Sequence, residues 1–146
     1  MLDAEGSRFT WIGGAVIMAP AAAPLPVRLL HISEALEEII LRFAPDSCAM
    51  ESVYYHKNPK SSLTLGQAQA AAILAAAHRG LPVDFYSPSE VKQALTGGGR
   101  AAKQQVRFMV ERILGLRFED ETDDLSDALA VAICHAGRRT GVAAGV

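Results

Sequence analysis

The stretch that decides the fold is DDLSDALA at residues 123–130, where acids lead into an apolar run. Asp124 and Asp127 are three residues apart, so on a helix they share one face. A second stretch, SCAME at residues 47–51, has the apolar character of a short buried strand and ends on Glu51. An acid that follows a buried strand lies at the edge of a sheet, where α/β folds build their sites. The two stretches therefore predict an α/β fold that carries carboxylates on rigid elements.

The three acids Glu51, Asp124 and Asp127 suggest a chemistry if the fold brings them together. Carboxylate oxygens are the ligands that magnesium prefers, and a site with two such ions cuts phosphodiesters. Two acids on one helix face also repel each other unless a cation lies between them. The alternatives are a solvent-facing strand end for Glu51 and ordinary first-turn acids on the helix. For Asp123 the better interpretation is a cap or a partner of the helix dipole.

Length and composition suit one folded domain. The chain has 146 residues, of which 50% are hydrophobic and 21% charged, so it can bury a core. We expect the domain to span residues 1–140, with a frayed tail at 141–146. There is no apolar run of about 18 residues and no signal peptide, so we expect a cytoplasmic protein without a membrane partner. Cys48 and Cys134 lie in apolar segments and are expected to be reduced core thiols.

The charge distribution is more informative than the net charge of −2. Residues 92–117 contain six basic side chains and one acid, whereas residues 119–127 contain six acids and no base. Such an arrangement is expected where one protein holds a polyanion and also binds metal. The alternative is two solvated helix faces of opposite sign.

Periodicity and turn residues predict the remaining elements. Apolar residues recur at three- and four-residue steps in the helices, and proline or glycine marks several ends. The segment from Ser87 to Glu90 fits a capping box, with Pro88 at the first helical position. The result is a mixed sheet flanked by helices, with a turn at 3–7, strands at 8–18, 47–51 and 82–86, and helices at 25–43, 62–78, 88–95, 101–114 and from 122 or 123 to 137.

Six short segments of the chain resemble the RuvC family of crossover (Holliday) junction endodeoxyribonucleases, whose fold is RNase H-like. The resemblance runs in the family's order over nearly the whole chain. Any one segment is a weak signal, but together they are specific. The segments are MESVY at 50–54, KN at 57–58, LTLGQA at 63–68, YSPSEVKQ at 86–93, AKQQV at 102–106 and DLSDALA at 124–130.

The resemblance implies catalytic roles by position. Glu51, Asp124 and Asp127 match metal ligands of the family, which implies two Mg²⁺ ions per active site. Lys92 and Lys103 match basic residues near the scissile backbone, and Lys103 is the candidate for direct participation in catalysis. The alternative for both lysines is an ordinary helix surface.

The resemblance also implies DNA contacts. Tyr54 occupies the position of an aromatic that stacks on a base near the opened crossover, where the family commonly has phenylalanine. Lys57, Lys60, Arg100 and Arg107 are expected to make generic phosphate contacts, beside Lys92 and Lys103.

One family feature is missing. The first metal ligand of the family is an aspartate in a Gly-Ile-Asp-Pro-Gly pattern of the opening strand, and this pattern does not occur here. Asp3 is no substitute, because it lies in the turn before the strand at 8–18. Only Met1 and Leu2 precede that turn, so we expect the chain to begin at the end of a strand whose body is absent. An incomplete N-terminus would explain both observations, and an inactive paralogue is the alternative.

The expected function is structure-selective cleavage of four-way DNA junctions in recombination and repair. The resemblance implies a homodimer, for which the small-residue helix at 62–78 is the candidate interface, and a junction-binding, branch-migrating helicase complex as partner. One alternative is a catalytically inactive junction-binding module that lacks the first aspartate. Another is an RNase H-like nuclease with a different substrate.

Overall fold

A computed structural model of the chain describes residues 1–52, 59–118 and 123–141. The chain divides into two compact units: Met1–Val16, Ala49–Ser52 and Phe85–Val146 form the first, and Ile17–Cys48 and Val53–Asp84 form the second. The elements, in chain order, are β1 (Leu2–Glu5), β2 (Arg8–Trp11), α1 (Leu25–Phe43), β3 (Cys48–Glu51), α2 (Pro59–His78), β4 (Val83–Tyr86), α3 (Pro88–Thr96), α4 (Lys103–Leu114) and α5 (Asp123–Thr140).

The N-terminal hairpin differs from the prediction at both ends. β1 pairs antiparallel with β2 over its full length, from Leu2↔Trp11 to Glu5↔Arg8, so the turn predicted at 3–7 narrows to residues 6 and 7. Gly6 takes a φ of 60°, which glycine adopts without strain. The strand predicted to reach residue 18 ends at Trp11, which pairs with Leu2, the first residue of β1. Beyond Trp11, the amide of Ile12 donates to the carbonyl of Met1 at 3.2 Å, and the carbonyl of Gly13 accepts from the amino group of Met1 at 2.6 Å.

β3 and β4 form a second pair of strands. The amide of Cys48 donates to the carbonyl of Pro82 at 2.9 Å, and the amide of Ser52 donates to that of Tyr86 at 2.8 Å. The sequence numbers rise together on both strands, so the pair is parallel. Among the described residues the sheet is therefore two separate two-stranded pieces, β1–β2 and β3–β4.

Helix α5 is the centre of the first unit. Eight of its residues are buried, on more than one side of the helix. The buried apolar ones among residues 129–134 pack with Val91 and Leu95 of α3, Val106 and Val110 of α4, and Phe9 of β2. The apolar run predicted after Asp127 is thus the core helix of this unit.

Local signals fix the start and end of α3. The Ser87 hydroxyl accepts from the amide of Glu90 at 3.2 Å, and the Glu90 carboxylate accepts from the amide of Ser87 at 2.8 Å. This is the predicted capping box, with Pro88 at the first helical position. Gly97 ends the helix with a φ of 73°.

The second unit is a packed pair of helices. Helix α2 begins at Pro59, three residues before the predicted start, because proline suits the first turn of a helix. Ala71, Ala75 and Ala76 are its buried residues, whereas α1 has none. At one end Glu37 pairs with His78 at 3.3 Å and with Arg79 at 3.1 Å.

No helix in the described ranges combines the length and apolarity needed to cross a membrane. α5 continues to Thr140, three residues beyond the predicted end, and the last residues, 142–146, lie outside the described part. The single domain over 1–140 and the tail at 141–146 stay predictions.

Candidate active site

Two rows of charged residues face each other where α4 and α5 begin. Lys103 and Arg107 are one turn apart on α4, and Asp123 and Asp127 are one turn apart on α5. The Lys103 ammonium lies 3.1 Å from Asp127 Oδ2 and 3.2 Å from Asp123 Oδ2. The predicted catalytic lysine and one predicted metal ligand are therefore in direct contact.

The contacts keep Lys103 charged. Its hydrogen bonds to Asp127 and then to Asp123 raise the pKa of Lys103 above its ordinary value. The Lys103 side chain is 56% exposed, so solvent screens the ion pairs and they contribute little to folding stability. The two carboxylates instead orient the Lys103 ammonium, which faces solvent.

Arg107, whose role as a generic phosphate contact stays a prediction, makes several contacts within the protein. Its guanidinium Nη2 donates to the carbonyl of Phe118 at 2.6 Å, and Nη1 lies 3.3 Å from Asp123 Oδ1. Nε lies 3.7 Å from Glu111, one turn further along α4. Only 20% of the Arg107 side chain is exposed. Most of the hydrogen-bonding capacity of Arg107 is thus directed into the protein.

Glu51 and Asp124 occupy the predicted ends of their elements. Glu51 is the last residue of β3 and is exposed, and the neighbouring amide of Ser52 fixes the strand end through its bond to Tyr86. Asp124 lies in the first turn of α5 and is exposed, and Asp127 is half-buried one turn later. Both elements present their acids to solvent from a packed scaffold.

The three acids predicted to bind metal meet only some of the requirements of a metal site. Carboxylate oxygens are the correct donors for a hard divalent cation. Within the described residues, however, no three His, Cys, Asp or Glu side chains form a group able to hold a metal ion, so Glu51, Asp124 and Asp127 do not converge as a trio. Asp127 instead contacts the Lys103 ammonium. The assignment of the three acids as metal ligands stays a prediction.

The predicted DNA contacts fall in different parts of the chain. Lys92 is half-buried on α3, and Arg100 is exposed between α3 and α4, both in the first unit with Lys103. Lys60 is exposed in the first turn of α2, in the second unit. Tyr54 and Lys57 lie outside the described residues.

The glycines that precede Arg100 lie close to the first turn of α3. A Cβ on Gly99 would lie 2.6 Å from the hydroxyl and 3.4 Å from the carbonyl oxygen of Ser89. A side chain at residue 99 would therefore force the Ser89 hydroxyl to move, so glycine favours the close approach of this loop to the first turn of α3. The loop that leads to Lys103 is packed against the helix that carries Lys92.

A network that the sequence did not predict joins α3, β4 and α5, with Tyr86 and His135 buried and Glu90 and Arg138 half-exposed. Tyr86 Oη and His135 Nδ1 share a hydrogen bond of 2.9 Å, and both residues are buried. The Arg138 guanidinium lies 4.9 Å from the centroid of the Tyr86 ring and 2.9 Å from Glu90. The contacts of Ser87 and then of Arg138 lower the pKa of Glu90 to about 2. Glu90 and Arg138 are 48 residues apart in the chain, so their pairing is visible only in three dimensions.

The contacts of Asp123 were also missed. The sequence assigned it to the helix end, whereas the structure shows both of its carboxylate oxygens in ion pairs. One sequence signal could have indicated these ion pairs. Two bases four residues apart on α4, Lys103 and Arg107, match two acids four residues apart on α5, Asp123 and Asp127.

Comparison with known proteins agrees with the resemblance. Residues 1–135 match the family described as crossover junction endodeoxyribonuclease RuvC. The proteins of that name from Dehalococcoides mccartyi and Trichlorobacter lovleyi are 42% and 47% identical to this chain. The alignments cover 95% and 92% of this chain, and 83% and 75% of the relatives.

Solved structures give the same result. The RuvC of T. thermophilus in complex with Holliday junction substrate superposes with a TM-score of 0.89 at 33% identity, over 96% of this chain and 86% of the other. A second Thermus thermophilus RuvC structure superposes with a TM-score of 0.85 at 34% identity, over 98% of this chain and 87% of the other. The predicted RNase H-like α/β fold is confirmed.

Proposed function

The chain belongs to the RuvC family of crossover junction endodeoxyribonucleases, and we propose that its candidate active site, once a further carboxylate completes it, serves to resolve four-way (Holliday) DNA junctions by paired nicks during recombination and repair. The observation that carries the proposal is the contact of Lys103 with Asp127 at 3.1 Å. Two residues assigned to one active site by resemblance, on different helices, lie together at an exposed end of the packed unit. The T. thermophilus RuvC bound to Holliday junction substrate supports the choice of a four-way junction as the substrate.

The proposed metal ligands are Glu51, Asp124 and Asp127, and the proposed cofactor is Mg²⁺, two ions per site. When bound, the ions would lower the pKa of a water and stabilise the leaving oxygen during in-line attack on a phosphodiester. The protein's own part is to hold oxygen donors at the end of β3 and in the first turns of α5. Lys103 supplies a positioned positive charge where negative charge develops on the phosphate.

The proposed DNA surface continues from this site. Lys92 and Arg100 are in the same unit as Lys103 and would contact the backbone on either side of the cut. Tyr54 would stack on a base near the crossover, and Lys57 and Lys60 would add phosphate contacts. Phosphate contacts release counterions, so junction binding should weaken steeply as salt rises.

The proposed assembly is a homodimer, because a two-fold axis provides two sites for symmetric nicks. Helix α2 is the candidate interface: it is rich in alanine and exposes Leu63, Leu65 and Leu74 in the isolated chain. A branch-migrating helicase complex is the proposed partner, and the cytoplasm is the proposed location.

A non-catalytic junction-binding module is the second candidate, and one observation favours it. The described residues do not gather three acids in one metal-binding group. We therefore propose that residues 1–146 alone bind junctions but cut them poorly, and that a further carboxylate is needed, of the kind that the family carries in Gly-Ile-Asp-Pro-Gly.

Comparison of two proteins tests this. One is the chain of residues 1–146; the other, the extended chain, is preceded by a strand that carries Gly-Ile-Asp-Pro-Gly. We expect both to bind a four-way junction and only the extended chain to nick it in Mg²⁺. Robust Mg²⁺-dependent nicking by residues 1–146 would contradict the need for a further carboxylate. Binding without nicking by both proteins would favour the non-catalytic module.

A further inference from the structure

Arg107 connects two described segments that lie on either side of residues 119–122. It donates to the carbonyl of Phe118 at 2.6 Å on one side and pairs with Asp123 at 3.3 Å on the other. Its guanidinium also lies 6.0 Å from the centroid of the Phe118 ring. Glu111 Oε1 supports the same segment by accepting from the amide of Phe118 at 2.9 Å.

The two oxygens of Asp123 are divided between two cations. Oδ1 faces Arg107 at 3.3 Å and Oδ2 faces Lys103 at 3.2 Å. Because Arg107 is largely buried and anchored to a backbone carbonyl, it fixes the direction of the Asp123 carboxylate. Lys103, whose flexible stem could otherwise take many rotamers, is then held between Asp123 and Asp127.

We propose that Arg107 and Asp123 are positioning residues that hold the Lys103 ammonium against Asp127. Arg107 acts through Asp123, and Asp123 acts on Lys103 directly. The inference deepens the proposed function and rests on it for its purpose, because an oriented ammonium matters where a phosphodiester is cut. The planar guanidinium is suited to this task, since it presents several donors in one rigid geometry.

The test measures how fast each lysine of residues 1–146 is acylated by an excess of a small amine-reactive ester, resolved by mass spectrometry. An ammonium held between two carboxylates reacts slowly, because it must lose its proton and its partners first. We expect Arg107→Gln and Asp123→Asn to raise the acylation rate of Lys103 about two- to fivefold, the range that loss of one exposed ion pair supplies. Acylation of Lys92 should not change.

Two further variants separate positioning from charge. Arg139→Gln removes one positive charge from the exposed last turn of α5, away from Asp123, and should leave the Lys103 rate unchanged. Arg107→Lys keeps the charge but not the planar fork, and should restore only part of the protection of Lys103. Circular dichroism confirms that each variant is folded.

Three outcomes would overturn the inference: unchanged Lys103 acylation in folded Arg107→Gln and Asp123→Asn, an equal rise in Arg139→Gln, or full protection in Arg107→Lys. Addition of a four-way junction tests the proposed function separately. Further protection of Lys103 by the junction supports its place at the DNA. If the junction binds without changing Lys103 acylation while the variants behave as expected, the positioning stands and the assignment of Lys103 to the DNA site fails.

Discussion

The two units of the chain bury their helices very differently. In the first unit α5 is enclosed by α3, α4 and the hairpin, and Leu129 and Ile133 are 2% and 0% exposed. In the second unit α1 has no buried residue, and α2 buries only alanines. The catalytic assignments fall on the enclosed unit, where packing can fix the geometry of charged side chains. The open helix pair exposes apolar surface that suits contacts with another chain.

The largest effect should come from the acids of the first unit. Asp127→Asn or Glu51→Gln in the extended chain should reduce junction cleavage to the background level while junction binding in metal-free buffer persists. The carboxylates would serve the metal rather than the bulk phosphate contact. Single-turnover cleavage and gel-shift affinity separate the two effects.

The matched acid in the second unit is Asp46, an exposed residue beside Ser47. Asp46→Asn should leave cleavage unchanged. Loss of binding together with cleavage in Asp127→Asn or Glu51→Gln would mean that the acids support the fold or the DNA surface instead.

Lys103→Ala should have the next largest effect on rate. Removing one positioned donor of charge stabilisation costs about 100- to 1,000-fold in well-studied sites. We expect a loss of this order in single-turnover cleavage by the extended chain at saturating enzyme, with a smaller change in junction affinity. Arg42→Ala, in the last turn of α1, is the control from the second unit. Equal losses of cleavage rate in both variants would mean that Lys103 acts only as part of the general positive charge of the surface.

The difference in packing predicts a difference in stability. Leu129→Ala should lower the free energy of unfolding by about 2–5 kcal/mol, because it leaves a cavity in the enclosed core. Leu63→Ala, at a side chain that is 63% exposed in the isolated chain, should change it by less than about 0.5 kcal/mol. Urea unfolding of residues 1–146 at low concentration measures both. A large loss of unfolding free energy in Leu63→Ala would indicate that this surface is already covered, as in a dimer.

The smallest effect concerns the charge of Glu90. Its pKa falls from 4.5 to about 2 in the folded chain, so its stabilising contribution is complete above pH 4.5 and is lost as the pH falls to about 2. Glu90→Gln keeps the capping box and removes the charge that faces Arg138. The melting temperature of the variant should lie slightly below that of the parent at pH 7. A difference that persisted unchanged at pH 2 would contradict this assignment.

The sequence predicted the elements that depend on local signals. Helix α1 matches at both ends, and the capping box at Ser87 and the end of β3 at Glu51 were also correct. The end of β2 was missed because the strand pattern continues past Trp11, while the pairing with β1 stops there.

Side-chain partners were harder to predict than elements. Arg107 and Asp123 are 16 residues apart and meet only because α4 packs on α5. The same holds for Tyr86 with His135, which are 49 residues apart. Sequence position could assign Arg107 to a basic segment, but only the packing of the helices directs it to Phe118 and Asp123.

Cleavage of a four-way junction by the extended chain in Mg²⁺ tests the central claim most directly. With the same labelled arms assembled as a four-way junction and as linear duplexes, we predict paired nicks at symmetric positions of the junction. The duplexes should stay intact, and Asp127→Asn should show no nicks. Tight junction binding by the extended chain without any nicking would contradict the claim that the acids of the first unit form a nuclease site.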